Sequence, residues 1–154
     1  MDPSEARRES LQLHQQLRQA MRESLILATR VKHGNLTDGP QLKIKSCELA
    51  AAVRRQIVME DLDLSPVLKT IDSWGAVRCE QLERVHQQEL QALQKAESKD
   101  PKLMNGDETK WIILAEATSE LVRSLLKCLR WEETYLLDPN TLRDDPVVAD
   151  NVDG

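Results

Sequence analysis

Residues 111–137 read WIILAEATSELVRSLLKCLRWEETYLL, with no Gly or Pro to interrupt them. Trp111, Leu114, Leu121, Leu125 and Cys128 fall on one helical stripe, and Ala115, Val122, Leu126 and Leu129 form a second beside it. An apolar face this wide must meet at least two neighbours, so the stretch predicts the central helix of a bundle, over about 107–137.

Working outward, the rest of the chain repeats the pattern. The first helix is expected over about 3–33. Asp2 and Glu5 are spaced as a capping box, Pro3 suits the first helical position, and Gly34 offers a left-handed stop. Its seam, Ala6, Ser10, Leu13, Leu17, Ala20, Ser24, Leu27 and Val31, steps by alternating fours and threes, as in a coiled coil. A second helix is expected over about 40–59, with Leu42, Leu49, Val53 and Ile57 on one face. Residues 60–64, EDLDL, read as an acidic connector, and Ser65 with Pro66 as a cap and helix-initiating proline. A third helix then covers about 66–96, with Gly75 in its interior. The polar run before Asp107 separates it from the fourth. Residues 138–154 carry Asp144, Asp145, Asp150 and Asp153 after Pro139 and no apolar period, which predicts a flexible tail.

The expected fold is all-α: an antiparallel four-helix bundle in one domain, 1–137, with coiled-coil-like long helices and a disordered acidic C-terminal tail at 138–154. Composition agrees. Aromatics are only 3% and Phe is absent, so the core must be aliphatic, and the 5 Gly and 6 Pro sit between periodic runs. Cys47, Cys79 and Cys128 are far apart, which suits buried thiols in a reducing compartment. Neither a signal peptide nor a membrane-spanning run is evident, so an intracellular protein, cytoplasmic or nuclear, is expected. A net charge of −5 argues against a partner bound through nucleic-acid phosphates.

Motifs for chemistry are weak. Glu83-Arg-Val-His86 is one Glu-x-x-His; di-iron bundles use two, with further carboxylates such as Glu48, Glu116 or Glu120 would have to supply. A metal-binding or di-iron-like bundle using Glu83 and His86 is therefore the second reading. Ser124-x-x-Lys127 lacks the companion motifs of acyl transfer. No catalytic residue, cofactor or metal is assigned.

The leading reading is a non-enzymatic interaction module, an adaptor or helical subunit of a larger assembly. The composition has the general look of small subunits of cytoskeletal, kinetochore or tethering complexes; a bacterial or viral effector is a third class. With one short helix among three long ones, part of an apolar stripe should stay uncovered and meet a partner. The expected partner-binding residues are Leu13, Leu17, Leu27, Trp131, Tyr135, Val147 and Val148. The partner should be another protein with a helix to offer, in a hetero-oligomer rather than a homo-oligomer.

Overall fold

A computed structural model describes residues 1–101 and 108–144. It has four α-helices: α1 (Pro3–Lys32), α2 (Gly39–Ile71), α3 (Gly75–Glu97) and α4 (Thr109–Tyr135). A 3-10 turn at Leu36–Asp38 joins α1 to α2. α1 and α3 each pack on both α2 and α4, so α1 and α3 face each other across an antiparallel bundle. No helix among the described residues is long and apolar enough to cross a membrane.

α1 buries Ala6, Ser10, His14, Leu17, Met21, Ser24, Ala28 and Val31. Ala6, Ser10, Leu17, Ser24 and Val31 of the expected seam are buried, and at its other three positions the buried residue is the next one along. His14 takes the place expected of Leu13, Met21 that of Ala20, and Ala28 that of Leu27. Asp2 stands at the N-cap without a side-chain capping bond. The backbone N–H and hydroxyl of Ser4 donate instead to Asp144, at 2.9 and 2.5 Å. Arg7 Nε donates to the Leu137 carbonyl at 2.7 Å. Leu142 is buried with Ala6, Leu68 and Leu136. Residues 138–144, expected to be part of a flexible tail, are therefore packed on the bundle. The remainder of that tail, with Val147 and Val148, lies outside the described residues.

The middle of the chain departs from the expected helix boundaries. α2 does not end near Met59; it runs on through Ser65 and Pro66 to Ile71. Leu64 and Leu68 continue its buried stripe, and their burial holds the helix across a proline that costs about 3 kcal/mol in a helix interior. Pro66 is exposed, so the carbonyl it leaves unpaired can be hydrated. The break falls at Asp72–Trp74. Asp72 adopts an extended conformation, and its Oδ1 accepts from Trp74 N at 2.8 Å and from Arg78 Nη1 at 2.5 Å. Gly75, expected inside a helix, instead begins α3: a Cβ there would lie 2.1 Å from the Lys69 carbonyl oxygen. With 33 residues α2 is the longest of the four, so the argument from a short second helix fails.

The apolar core has three parts. The central cluster includes Leu17, Met21, Val53, Leu93, Leu125 and Leu129. At the end holding the α2–α3 turn, Leu64, Leu68, Leu82 and Leu136 form a second. At the opposite end, Ala28, Val31, Leu42, Leu114 and Ala115 form the third.

Two substitutions check the revised helix boundary by chemical denaturation. Pro66→Ala should stabilise the protein, by up to about 3 kcal/mol, because it restores an interior helical N–H. A proline at a helix start would give no such gain. Gly75→Ala should destabilise by roughly 1–3 kcal/mol, since the new methyl meets backbone that must move.

Candidate functional site

Between the central cluster and the α2–α3 end of the core lies a layer that is not apolar. Each helix places a polar side chain on its buried stripe at this level. His14 of α1 precedes Leu17; Glu60 of α2 falls between Ile57 and Leu64. His86 and Glu89 of α3 lie between Leu82 and Leu93, and Glu132 of α4 between Leu129 and Leu136. All five residues are at most 3% exposed.

Glu60 joins the two imidazoles. Its Oε2 lies 3.1 Å from His14 Nε2 and its Oε1 3.0 Å from His86 Nε2. Glu132 Oε2 is 2.6 Å from His14 Nε2, in ion-pair contact, although neither Glu132 oxygen accepts a hydrogen bond. Behind each ring a second carboxylate holds Nδ1: Glu133 at 2.9 Å from His14 and Asp61 at 3.0 Å from His86. Glu133 is gripped in turn by both terminal nitrogens of Arg18, at 2.6 and 2.8 Å. The Gln56 amide nitrogen donates to Glu60. Both oxygens of Glu89, both of Glu132 and the Gln56 carbonyl oxygen are buried without a hydrogen-bond partner among the described residues.

This setting drives the charges apart. Burial opposes charge on His14, but Glu132, Glu133 and Glu60 outweigh it and push the imidazolium up to about 12. Burial likewise opposes His86, and Glu60 raises it. Glu60 is held far below the carboxylate range despite its burial, through Glu132 and both histidines. Glu133, against its own desolvation, is drawn down to about 2 by His14 and Arg18. Glu89 goes the other way, up to about 8, because burial disfavours its charge and His86 only partly compensates. Burial and the neighbouring Glu60 charge raise Glu132 well above the usual range. Cys128 is pushed up to about 12 by burial and by Glu89 and Glu132, so it is a thiol and no nucleophile.

Of the residues the sequence suggests for metal chemistry, only His86 is here. Glu83, Glu48, Glu116 and Glu120 are exposed on the outside of their helices. The operative motif on α3 is His86-x-x-Glu89, the reverse of the one expected. Glu60 escaped notice because residues 60–64 read as a connector, and Glu132 because it sits beside Glu133 in a polar pair. The available signal was positional: each apolar stripe is interrupted at one level by a titratable residue, and that of α3 by two, His86 and Glu89.

Leu17, expected at a partner surface, is 1% exposed in the central core, which rules it out as a contact. Leu13 is half-buried, and Leu27 packs against the cluster holding Val31. Trp131 is half-buried beside Leu136, while Tyr135 is 60% exposed. Their rings stand 5.1 Å apart, centroid to centroid. Both line an open cleft of about 760 Å³ between α3 and α4, floored by Ala92, Ser124 and Cys128. A second cleft of about 360 Å³ shares Ala92, Lys95 and Ser124 with it and extends the groove to Ile113.

No family model, curated protein or solved structure matches this chain.

The high Glu89 value has a pH consequence for the chelator-treated protein. Its carboxyl titrates at about 8 when folded, against 4.5 ordinarily. Between those values the folded state holds a proton that the unfolded state has lost, so stability falls as pH rises through this window. Glu89→Gln should remove that slope. In EDTA, variant and wild type should melt at similar temperatures near pH 4.5, and the variant higher at pH 8. An unchanged difference between the two pH values would show that Glu89 folds as an anion.

Proposed function

We propose that the chain is a helix-binding interaction subunit of a larger protein assembly, and that the α3–α4 groove is its docking face. The carrying observation is the composition of the wider cleft. Its lining includes Lys95, Lys127 and Arg130 and no carboxylate, on a protein of net charge −5. Lys95 lies 3.8 Å from Glu120, but Lys127 and Arg130 have no ion-pair partner among the described residues. Small side chains on the floor let a backbone approach closely. Trp131 and Tyr135 supply an amphipathic aromatic pair of the kind that dominates binding energy when covered.

The groove spans Ile113 to Tyr135 of α4, about 33 Å at the helical rise, which suits a guest helix of roughly 20 residues. Such a guest would lay an apolar stripe on the floor and present acidic residues to the cationic rim of the wide end, since Glu116 and Glu120 line the narrower one. This supports a different chain as partner. The cleft is already made from α3 and α4, and α1, the most basic helix, lacks the acidic stripe the rim asks for.

Native capture from source lysate, followed by affinity measurement with the recovered partner, tests the reading. Tyr135→Ala should weaken binding by about 2 kcal/mol, roughly 30-fold, without lowering the melting temperature. Lys127→Glu with Arg130→Glu should slow association and abolish its dependence on salt. A chain that stays monomeric with no stoichiometric partner, or variants that bind as wild type does, would refute the proposal.

A further inference from the structure

We infer that the buried layer is a metal centre for divalent first-row transition ions, one between His14, Glu60 and Glu132 and a second between His86, Glu89 and Glu132. Three independent features point there. The ligand atoms of each triad all lie within 4.8 Å of one another. Two ligands on one ion with bonds near 2.1 Å stand about 3.0–3.4 Å apart, and the separations of 3.1 Å (His14–Glu60) and 2.6 Å (His14–Glu132) need little change to match.

The second feature is the way both histidines are held. Each has Nδ1 on a carboxylate, Glu133 or Asp61, and Nε2 turned to the shared centre. An outer carboxylate on one ring nitrogen fixes the tautomer that presents the other to a metal. Both rings show it, from opposite sides of the bundle.

The third is the set of oxygens left over. Glu89 is 0% exposed, and among the described residues neither of its oxygens accepts a hydrogen bond; Glu132 Oε1 and the Gln56 carbonyl oxygen are left over in the same way. A buried acceptor without a donor costs about 1–3 kcal/mol. A proton on a carboxyl group leaves the second oxygen unpaired, whereas a cation engages either or both. Three carboxylates with two imidazoles suit Mn, Fe, Co or Zn, while Ca and Mg prefer sites made of oxygen alone. The one nearby thiol, Cys128, is not in either triad. An open cleft of about 330 Å³, lined by Asp61, Glu83 and His86, brings solvent as far as His86 of the second triad.

The test uses the full chain purified without a polyhistidine tag, with metal content measured as isolated and after reconstitution with Co(II). Expected are about two equivalents per chain, visible Co(II) ligand-field bands, and a higher melting temperature that EDTA reverses. Glu89→Gln, similar in shape and neutral, should stay folded and lose the ion at its triad. Asp61→Asn, which changes only the group behind His86, should weaken Co(II) binding about 10–100-fold. Exposed Glu83→Gln should bind as wild type does. A folded wild-type chain with no bound metal and no Co(II) bands overturns the inference. So does a Glu89→Gln protein whose Co(II) spectrum and stoichiometry match the wild type, because a purely structural network predicts that result.

Discussion

Five ionisable side chains must share one dry layer between four helices, and that constraint sets the register of the bundle. An apolar interface alone tolerates sliding, because leucine against leucine at one level resembles leucine against leucine a turn away. Here a shift of one turn, about 5.4 Å, would carry Glu60 from the two imidazoles into the neighbouring leucines. It would also part Glu132 from His14. The penalty for an unpaired buried charge is several kcal/mol, so only one alignment satisfies α1, α2, α3 and α4 together. The layer adds less to net stability than leucines of the same volume would, since its groups must first be stripped of water. What it provides is a single alignment and a preformed set of donors.

The end of the bundle nearest this layer is closed with unusual care. Leu136 and Leu137 continue inward after α4 ends, and Leu142 follows them. Arg7 holds the Leu137 carbonyl, and Asp144 satisfies the start of α1, the role the sequence assigned to Asp2. Together these contacts place segments from both ends of the chain over the cluster below Glu132. A polar layer so close to an open bundle end would hydrate. The cap of Leu136, Leu137 and Leu142 keeps it dry, and dryness is what lifts Glu89 and Glu132, while Glu132 and the two histidines hold Glu60 low against that same burial.

How much of this was legible from the residues follows from what periodicity reports. The apolar stripes of α4 are plain in the sequence because Leu, Val and Ala recur there from Leu114 to Leu129 with little interruption. The split of α2 at Ser65-Pro66 was wrong because local signals for a helix start are strong, while the burial of Leu64 and Leu68 is a tertiary fact. The mid-section of α1 was misphased for a related reason. Leu13 was the apolar choice beside polar His14, while Ala20 beside Met21 and Leu27 beside Ala28 offered no contrast in polarity to fix the phase. The site was hidden by the same rule that revealed the fold: a search for apolar stripes passes over the positions where a stripe is broken on purpose. Leu13, Leu17 and Leu27 were misjudged or left undecided because hydrophobicity alone does not say which side of a helix faces inward.

The groove and the layer are distinct features of one helix, and their separation bears on which exposed apolar residues matter. Ile26, Ile44, Leu62 and Trp74 are more than half exposed, yet single apolar side chains are ordinary on any protein surface. Leftover hydrophobicity is therefore a poor guide to a docking face. The α3–α4 groove differs because it is concave, floored by small residues, and edged at its wide end by cations alone. Along the last turns of α4, Glu132 faces inward while Trp131 and Tyr135 face the cleft, with Cys128 on its floor. Consecutive residues Trp131 and Glu132 thus belong to opposite sides of one helical wall. A guest on the groove would touch α4 without reaching the polar layer, so a substitution at Tyr135 and one at Glu89 act on separable properties of the chain.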